Sequence, residues 1–270
     1  MNIETIELSK LYKIEGTATL KCFNHDTDEE MKRYNNNLPA MIVCPGGGYR
    51  FTSRREADPI AIEFYDRKYA AFVLNYDIAP YRYPVALTEL AAAVDYVRKN
   101  AEKFRVNPDR IFVVGFSAGG HLVGNLANFW HNLPVPEANG KKLDAKPNAV
   151  VLSYPVIMPY THAGSFANLV GTENMSDPRI EALSLDKTVT DLNPPCFIWT
   201  TAEDQCVNPD ATIQYTIALK KAGVRYETHI FADGWHGLAT ADDRTNADGT
   251  DMPARVWFDL ADTFLHTIKQ

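Results

Sequence analysis

Short, continuous apolar runs alternate along this chain with longer stretches of helical periodicity. The runs are residues 40–44, 71–76, 111–114, 149–153 and 196–200, with 226–231 as a last candidate. Runs that do not alternate suit strands covered on both faces, as in a parallel sheet. Between them, Leu90, Val94, Val97 and Ala101 put one apolar stripe on a helix over about 86–103. Asn208 and Pro209 open a further helix that Gly223 ends, and 253–268 carries Val256, Leu260, Phe264 and Ile268 at helical spacing. Ser53 and Glu56 have capping-box spacing ahead of a helix reaching about residue 68. Strands and helices in this alternation build βαβ units, and hence an α/β sheet with right-handed crossovers. Residues 17–23 alternate more and suit an antiparallel edge.

A chain of 270 residues admits one large α/β domain or two small ones. Its 46% hydrophobic and 23% charged residues exclude a largely disordered or fibrous polymer. A net charge of -7 is the wrong sign for a protein whose partner is the nucleic-acid backbone. It also fits neutral better than anionic substrates. No window approaches a membrane span. The first residues, MNIETIELSKLYKIEG, do not read as a secretory signal. Four cysteines without a C-x-x-C pair read as free thiols in a reducing compartment. The expectation is a cytoplasmic protein without metal or cofactor. The outer helices could pair in a homo-oligomer, and no heptad seam names a dimer face.

The chemistry is carried by Gly115-Phe116-Ser117-Ala118-Gly119, placed between the run 111–114 and the helix-like stretch 121–130. A serine on a tight strand-to-helix turn is lifted above the sheet edge, and flanking glycines relieve the crowding. The following helix N-terminus favours developing negative charge at the same spot. A serine hydroxyl needs a base, and histidine serves near neutral pH. Among seven histidines, His236 stands in a glycine-flanked loop after the last apolar run, whereas His121 is pinned under the turn, His229 is within a strand, and His25, His131, His162 and His266 lack context. A carboxylate should orient the imidazole. Asp204 follows the run 196–200 at its C-terminal end, where catalytic groups of open α/β sheets cluster, with Glu203 and Asp233 as weaker rivals. Gly46, Gly47 and Gly48 follow the first run and can aim N–H groups at the site, joined by the N–H of Ala118. Such a loop could instead cradle phosphate, but the usual phosphate motifs are absent.

Taken together, CPGGGY, VLNYDIAPYRYP, NPDRIFVVGFSAGGHL, TAEDQCV and GWHGL resemble the α/β-hydrolase carboxylesterases, in the subgroup of hormone-sensitive-lipase-like and acetylxylan-esterase-like enzymes. The resemblance runs from about residue 40 to 240. It implies an α/β-hydrolase fold, with Ser117 as nucleophile, Asp204 as acid, His236 as base, and Gly47, Gly48 and Ala118 as oxyanion donors. Pro45 stands where lipase-like members carry His, which leaves backbone donors intact and points to the acetylesterase-like branch. Motifs spread from 45 to 236 must converge, so a single domain over 1–270 is expected. Loop insertions at about 131–147 and 155–195 would then cover the active site. Tyr49, Tyr76, Trp130 and Trp235 are candidate platforms for a sugar ring. The expected activity is hydrolysis of short-acyl, acetyl-type esters by a serine carboxylesterase. An arylformamidase or small peptidase of the same fold is the alternative, and a non-catalytic binding module is the alternative of another kind.

Overall fold

The computed structural model describes residues 1–26 and 28–268. Its strands are β1 (Asn2–Glu7), β2 (Thr19–Asn24), β3 (Leu38–Cys44), β4 (Ala70–Asn75), β5 (Val106–Phe116), β6 (Glu137–Ala138), β7 (Lys141–Lys142), β8 (Ala149–Ser153), β9 (Cys196–Thr201) and β10 (Tyr226–Phe231). Its α-helices are α1 (Leu8–Tyr12), α2 (Asp58–Asp66), α3 (Val85–Lys99), α4 (Ala101–Phe104), α5 (Ala118–Phe129), α6 (Ala163–Val170), α7 (Pro178–Glu181), α8 (Asp210–Lys221) and α9 (Trp257–His266). Eight strands form one sheet in the order β1-β2-β4-β3-β5-β8-β9-β10, while β6 and β7 make a separate hairpin. From β4 to β10 the neighbours are parallel, and β1 and β2 join antiparallel. This is the α/β-hydrolase architecture, a mostly parallel sheet with helices on both faces.

The unbroken apolar runs are explained by that two-sided cover. In β3, Ala40, Ile42 and Cys44 enter one core with Leu90, Val94 and Val97 of α3, Leu122 and Leu126 of α5, and Tyr215 of α8. Met41 and Val43 enter the other, against Ile60 and Phe64 of α2 and Trp257, Phe258 and Phe264 of α9. Successive side chains of β5, β8 and β9 divide in the same way, as a period of two requires.

Four expectations are corrected. The expected antiparallel edge over 17–23 is the strand β2 (Thr19–Asn24), but β1 pairs outside it, so β2 is not the edge. The capping box does not form: Ser53 makes no side-chain cap, Arg54–Glu56 is a short 3-10 turn, and α2 begins at Asp58. The stripe over 86–103 is interrupted at Asn100, which separates α3 from α4. The segment 131–147 does not cover the site. The helix α5 leads the chain about 18 Å from Ser117 at 1.5 Å per residue, and the segment packs at the far end. There Asp144 N–H donates to Asp95 at 2.7 Å, Arg98 donates to the carbonyls of Asp144 and Lys146 at 2.6 Å each, and Asn148 N–H donates to Ile111 at 2.8 Å.

The α3 helix also buries Glu89, whose Oε2 accepts the Asp77 N–H at 2.8 Å and whose Oε1 accepts the Ser9 hydroxyl at 3.2 Å. Burial, and then the hydrogen bond with the Asp77 side chain, push its carboxyl up from 4.5 to about 9. Between those values the folded chain keeps a proton that the unfolded chain has released. This group's contribution to stability is therefore full below 4.5 and is lost as pH rises toward 9. Thermal melts across that window should show Glu89→Gln gaining on the parent as pH rises, whatever fixed offset the swap brings; parallel curves would contradict the assignment.

Candidate active site

Ser117 follows β5 directly and precedes α5, with φ 51° and ψ -117°, a strained conformation for a residue with a side chain. The neighbours hold it there: its N–H donates to the Ser153 carbonyl at 3.0 Å, and its carbonyl accepts from Val156 and His121 at 3.1 Å each. The turn tolerates only glycine on either side. A Cβ at Gly115 would overlap the Gly119 carbonyl, and one at Gly119 would overlap the Cys44 and Pro45 carbonyls at the end of β3.

The structure brings Ser117, His236 and Asp204 together. His236 Nε2 lies 2.8 Å from Ser117 Oγ, and its Nδ1 lies 2.7 Å from Asp204 Oδ2. Asp204 has a fully buried side chain, and its Oδ1 accepts the N–H groups of Cys206 and Val207 at 2.9 Å each, which leaves Oδ2 to face the imidazole. Those contacts assign Nδ1 as protonated, leaving Nε2 free to take a proton from the hydroxyl. Glu203 instead takes the Gly234 N–H at 3.4 Å. The His236 loop is tied to β9 by the Thr201 hydroxyl, which donates to the Gly234 carbonyl at 2.8 Å.

The glycine loop after β3 lies beside this group. A Cβ at Gly46 would come within 2.9 Å of Ser117 Cβ. Gly46 N–H donates to Glu56 Oε2 at 2.8 Å and is unavailable to a ligand. Gly47 and Gly48, at φ 131° and 63°, turn the loop back. Ala118 opens α5, so its N–H is among those that no turn of the helix satisfies. The Asn168 amide holds the Gly48 carbonyl at 2.9 Å.

Glu56 is the residue that sequence reasoning misplaced. It is buried, and while Oε2 holds Gly46, Oε1 accepts the Tyr154 hydroxyl at 2.7 Å. The Tyr154 oxygen in turn accepts the Ala239 N–H at 3.0 Å, and its ring meets His236 edge-on at 5.1 Å between centroids. One carboxylate thus links the glycine loop to the histidine loop. The Pro59 at the start of α2 was the available signal: it starts the helix too late for Glu56 to be its third residue.

Of the four aromatic candidates, only Trp235 is exposed beside the site. Tyr49 is buried with its hydroxyl 2.9 Å from His121 Nδ1, and Tyr76 is buried donating to the Pro45 carbonyl at 2.6 Å. Both brace the loop and leave no face for a sugar. Trp130 sits at the far end of α5, donating to the Leu192 carbonyl at 3.0 Å. His121 is buried between Tyr49 and the Leu183 carbonyl, and burial lowers it to about 4. His162, which showed no signal in the sequence, lines the cavity above Ser117 with Gly164 and Asn168. Its Nδ1 accepts the Ser165 N–H at 3.1 Å, and burial and then the neighbouring His236 hold it below the usual histidine range. That cavity is about 640 Å³, and it meets a second of about 800 Å³, bearing Trp235 and Met252, at Cys206 and His236.

Among the described residues no group of three or more His, Cys, Asp or Glu could hold a metal ion, and no helix is long and apolar enough to cross a membrane.

A family profile described as BD-FAE matches residues 30–219. Endo-1,4-beta-xylanase B of Butyrivibrio fibrisolvens is 36% identical over 75% of this chain and 33% of its own length. An acetylxylan esterase of Xylanibacter ruminicola is 29% identical over 83% of the chain and 44% of its own length. The chain thus spans less than half of either relative. Among solved structures, an acetyl ester-xyloside bifunctional hydrolase from Caldicellulosiruptor lactoaceticus is 32% identical with a TM-score of 0.80, over 95% of this chain and 90% of that one. A carboxylesterase from Lactobacillus plantarum is 28% identical with a TM-score of 0.84, over 98% and 97%.

Removing Glu56 strands two buried donors, each costing about 1–3 kcal/mol. Glu56→Ala should therefore lower the urea midpoint clearly, while Glu56→Gln, which can accept from Gly46 but leaves the Tyr154 hydroxyl without its acceptor, should lower it by a smaller amount. A Glu56→Gln variant as stable as the parent would show that side-chain volume matters and the bridge does not.

Proposed function

The chain belongs to the BD-FAE family and has the α/β-hydrolase fold of carboxylic ester hydrolases; from that premise we propose that it is a serine carboxylesterase acting on small, short-acyl esters such as acetyl esters of sugars. The observation that carries this reading is the relay of 2.8 Å and 2.7 Å contacts from Ser117 through His236 to Asp204.

In the proposed reaction Ser117 Oγ attacks the ester carbonyl as His236 Nε2 takes its proton. Asp204 holds the imidazole and stabilises the imidazolium. Negative charge on the carbonyl oxygen is met by the N–H groups of Gly47, Gly48 and Ala118, and Gly46 is excluded because Glu56 occupies its N–H. One such donor contributes about 2.7–4 kcal/mol to the transition state. His236 then protonates the departing alcohol, water attacks the acyl-enzyme by the reverse relay, and the acid is released.

A short acyl group is favoured by the lining of the cavity over Ser117, where glycines, arginines and His162 leave Phe51 as the one large apolar side chain among the described residues. A sugar alcohol is favoured by exposed Trp235 beside His236. Two relatives named above for acetylxylan and acetyl ester-xyloside hydrolysis point the same way.

Ser117→Ala should lower kcat on p-nitrophenyl acetate by about 10⁵–10⁶-fold. Undiminished hydrolysis by that variant ends the serine mechanism. In a series of p-nitrophenyl esters from acetyl to octanoyl, kcat/KM should fall with length, and a preference for the longest chain rejects the short-acyl reading. A formyl anilide and an aminoacyl anilide should be poorer substrates than the acetyl ester.

A further inference from the structure

The cavity above Ser117 carries Arg50 and Arg54 on its wall, both exposed. The chain has thirteen arginines. Each of the other eleven touches a hydrogen-bond acceptor, a carboxylate or an aromatic ring. Among the described residues, Arg50 and Arg54 touch none, and the two fall on the same cavity wall, at the proposed active site. Arg55 beside them is committed, donating to the carbonyls of Gly237 and Thr245 at 2.9 Å and 3.1 Å.

Among the described residues, the wall of this cavity holds no acid free to pair with them. The one acid on the cavity wall is Glu56, buried, with both oxygens already accepting hydrogen bonds from Gly46 and Tyr154. Asp204 is buried behind His236. A protein of net charge -7 thus presents a locally positive mouth to whatever reaches Ser117. Guanidinium groups match a carboxylate in a planar, two-pronged geometry that no neutral hydroxyl reproduces.

We propose that Arg50 and Arg54 bind a carboxylate on the substrate, so that the preferred esters are anionic: an acylated sugar acid on the alcohol side, or a dicarboxylic half-ester on the acyl side. This rests on the serine-esterase reading of the same site. It reverses the expectation of neutral substrates drawn from net charge, because local field and not the total decides what a cleft attracts.

The test compares matched pairs. On the alcohol side, p-acetoxybenzoate is set against its methyl ester. On the acyl side, the p-nitrophenyl half-ester of succinate is set against its methyl diester. The ratio of kcat/KM, anionic over neutral, should exceed one for one pair, which names the side. It should fall by about tenfold in Arg50→Gln/Arg54→Gln and shrink as added salt shortens the screening length from about 10 Å toward 3 Å. Ratios below one for both pairs, or a ratio the double substitution leaves alone, would overturn the proposal. The arginine contact is read without turnover by titrating Ser117→Ala with p-acetoxybenzoate and with succinate, following tryptophan fluorescence. The dissociation constant of one of them should rise by about tenfold when both arginines are replaced, and an unchanged constant for both counts against the proposal. Loss of the serine mechanism shows separately, as p-nitrophenyl acetate hydrolysis that survives Ser117→Ala.

Discussion

The rest of the site depends on how closely the turn after β5 approaches the end of β3. At Gly119 no side chain fits against the Cys44 and Pro45 carbonyls, and at Gly46 none fits against Ser117. These contacts put the proposed nucleophile and the glycine loop side by side at the point where β4 and β5 leave β3 in opposite directions. The crevice at such a reversal is where open α/β sheets bind their ligands. The strain stored at Ser117 is tolerable because a strand, a helix and the Ser153 carbonyl hold it from three sides.

A second layer of buried polar contacts steers the loops that this packing brings together. Glu56 reaches Gly46 on one side and, through Tyr154, the His236 loop on the other. Tyr76 holds Pro45, Tyr49 meets His121, and Asn168 holds Gly48. A loop built of glycines has little geometry of its own, so its shape must come from such partners. The positive rim formed by Arg50 and Arg54 sits outside this layer and is free of it.

The sheet was legible because both-face burial writes unbroken apolar runs, and Ser117, Asp204 and His236 because each follows such a run in a glycine-marked or acidic turn. Two kinds of residue were not legible. Glu56 had the spacing of a helix cap, and only the displacement of the helix start to Asp58 frees it to point inward. Tyr49 and Tyr76 look like ligand platforms in a motif, yet aromatic residues beside a glycine loop are as useful for bracing it, and burial decides between the two. The place of 131–147 follows from the direction of α5, which carries the chain away from Ser117 and which no local pattern in the segment records. His162 becomes visible only through the packing of its loop against Gly48, a contact between residues more than a hundred positions apart. The family match, ending at residue 219, includes Ser117 and Asp204 but stops short of His236, which rests on its loop geometry.

The separation of Ser117 from His236 has a consequence for biosynthesis. The serine precedes its proposed base by 119 residues. At about 5–20 residues per second, it leaves the ribosome roughly 6–24 s before that base. During that interval the strained turn can close on β3 while the hydroxyl remains an ordinary alcohol. Only when β10 has docked on β9 does the imidazole reach it. The proposed chemistry is thereby timed by the order of translation, and a chain truncated before its last strand lacks both the imidazole and the α9 wall of the second core.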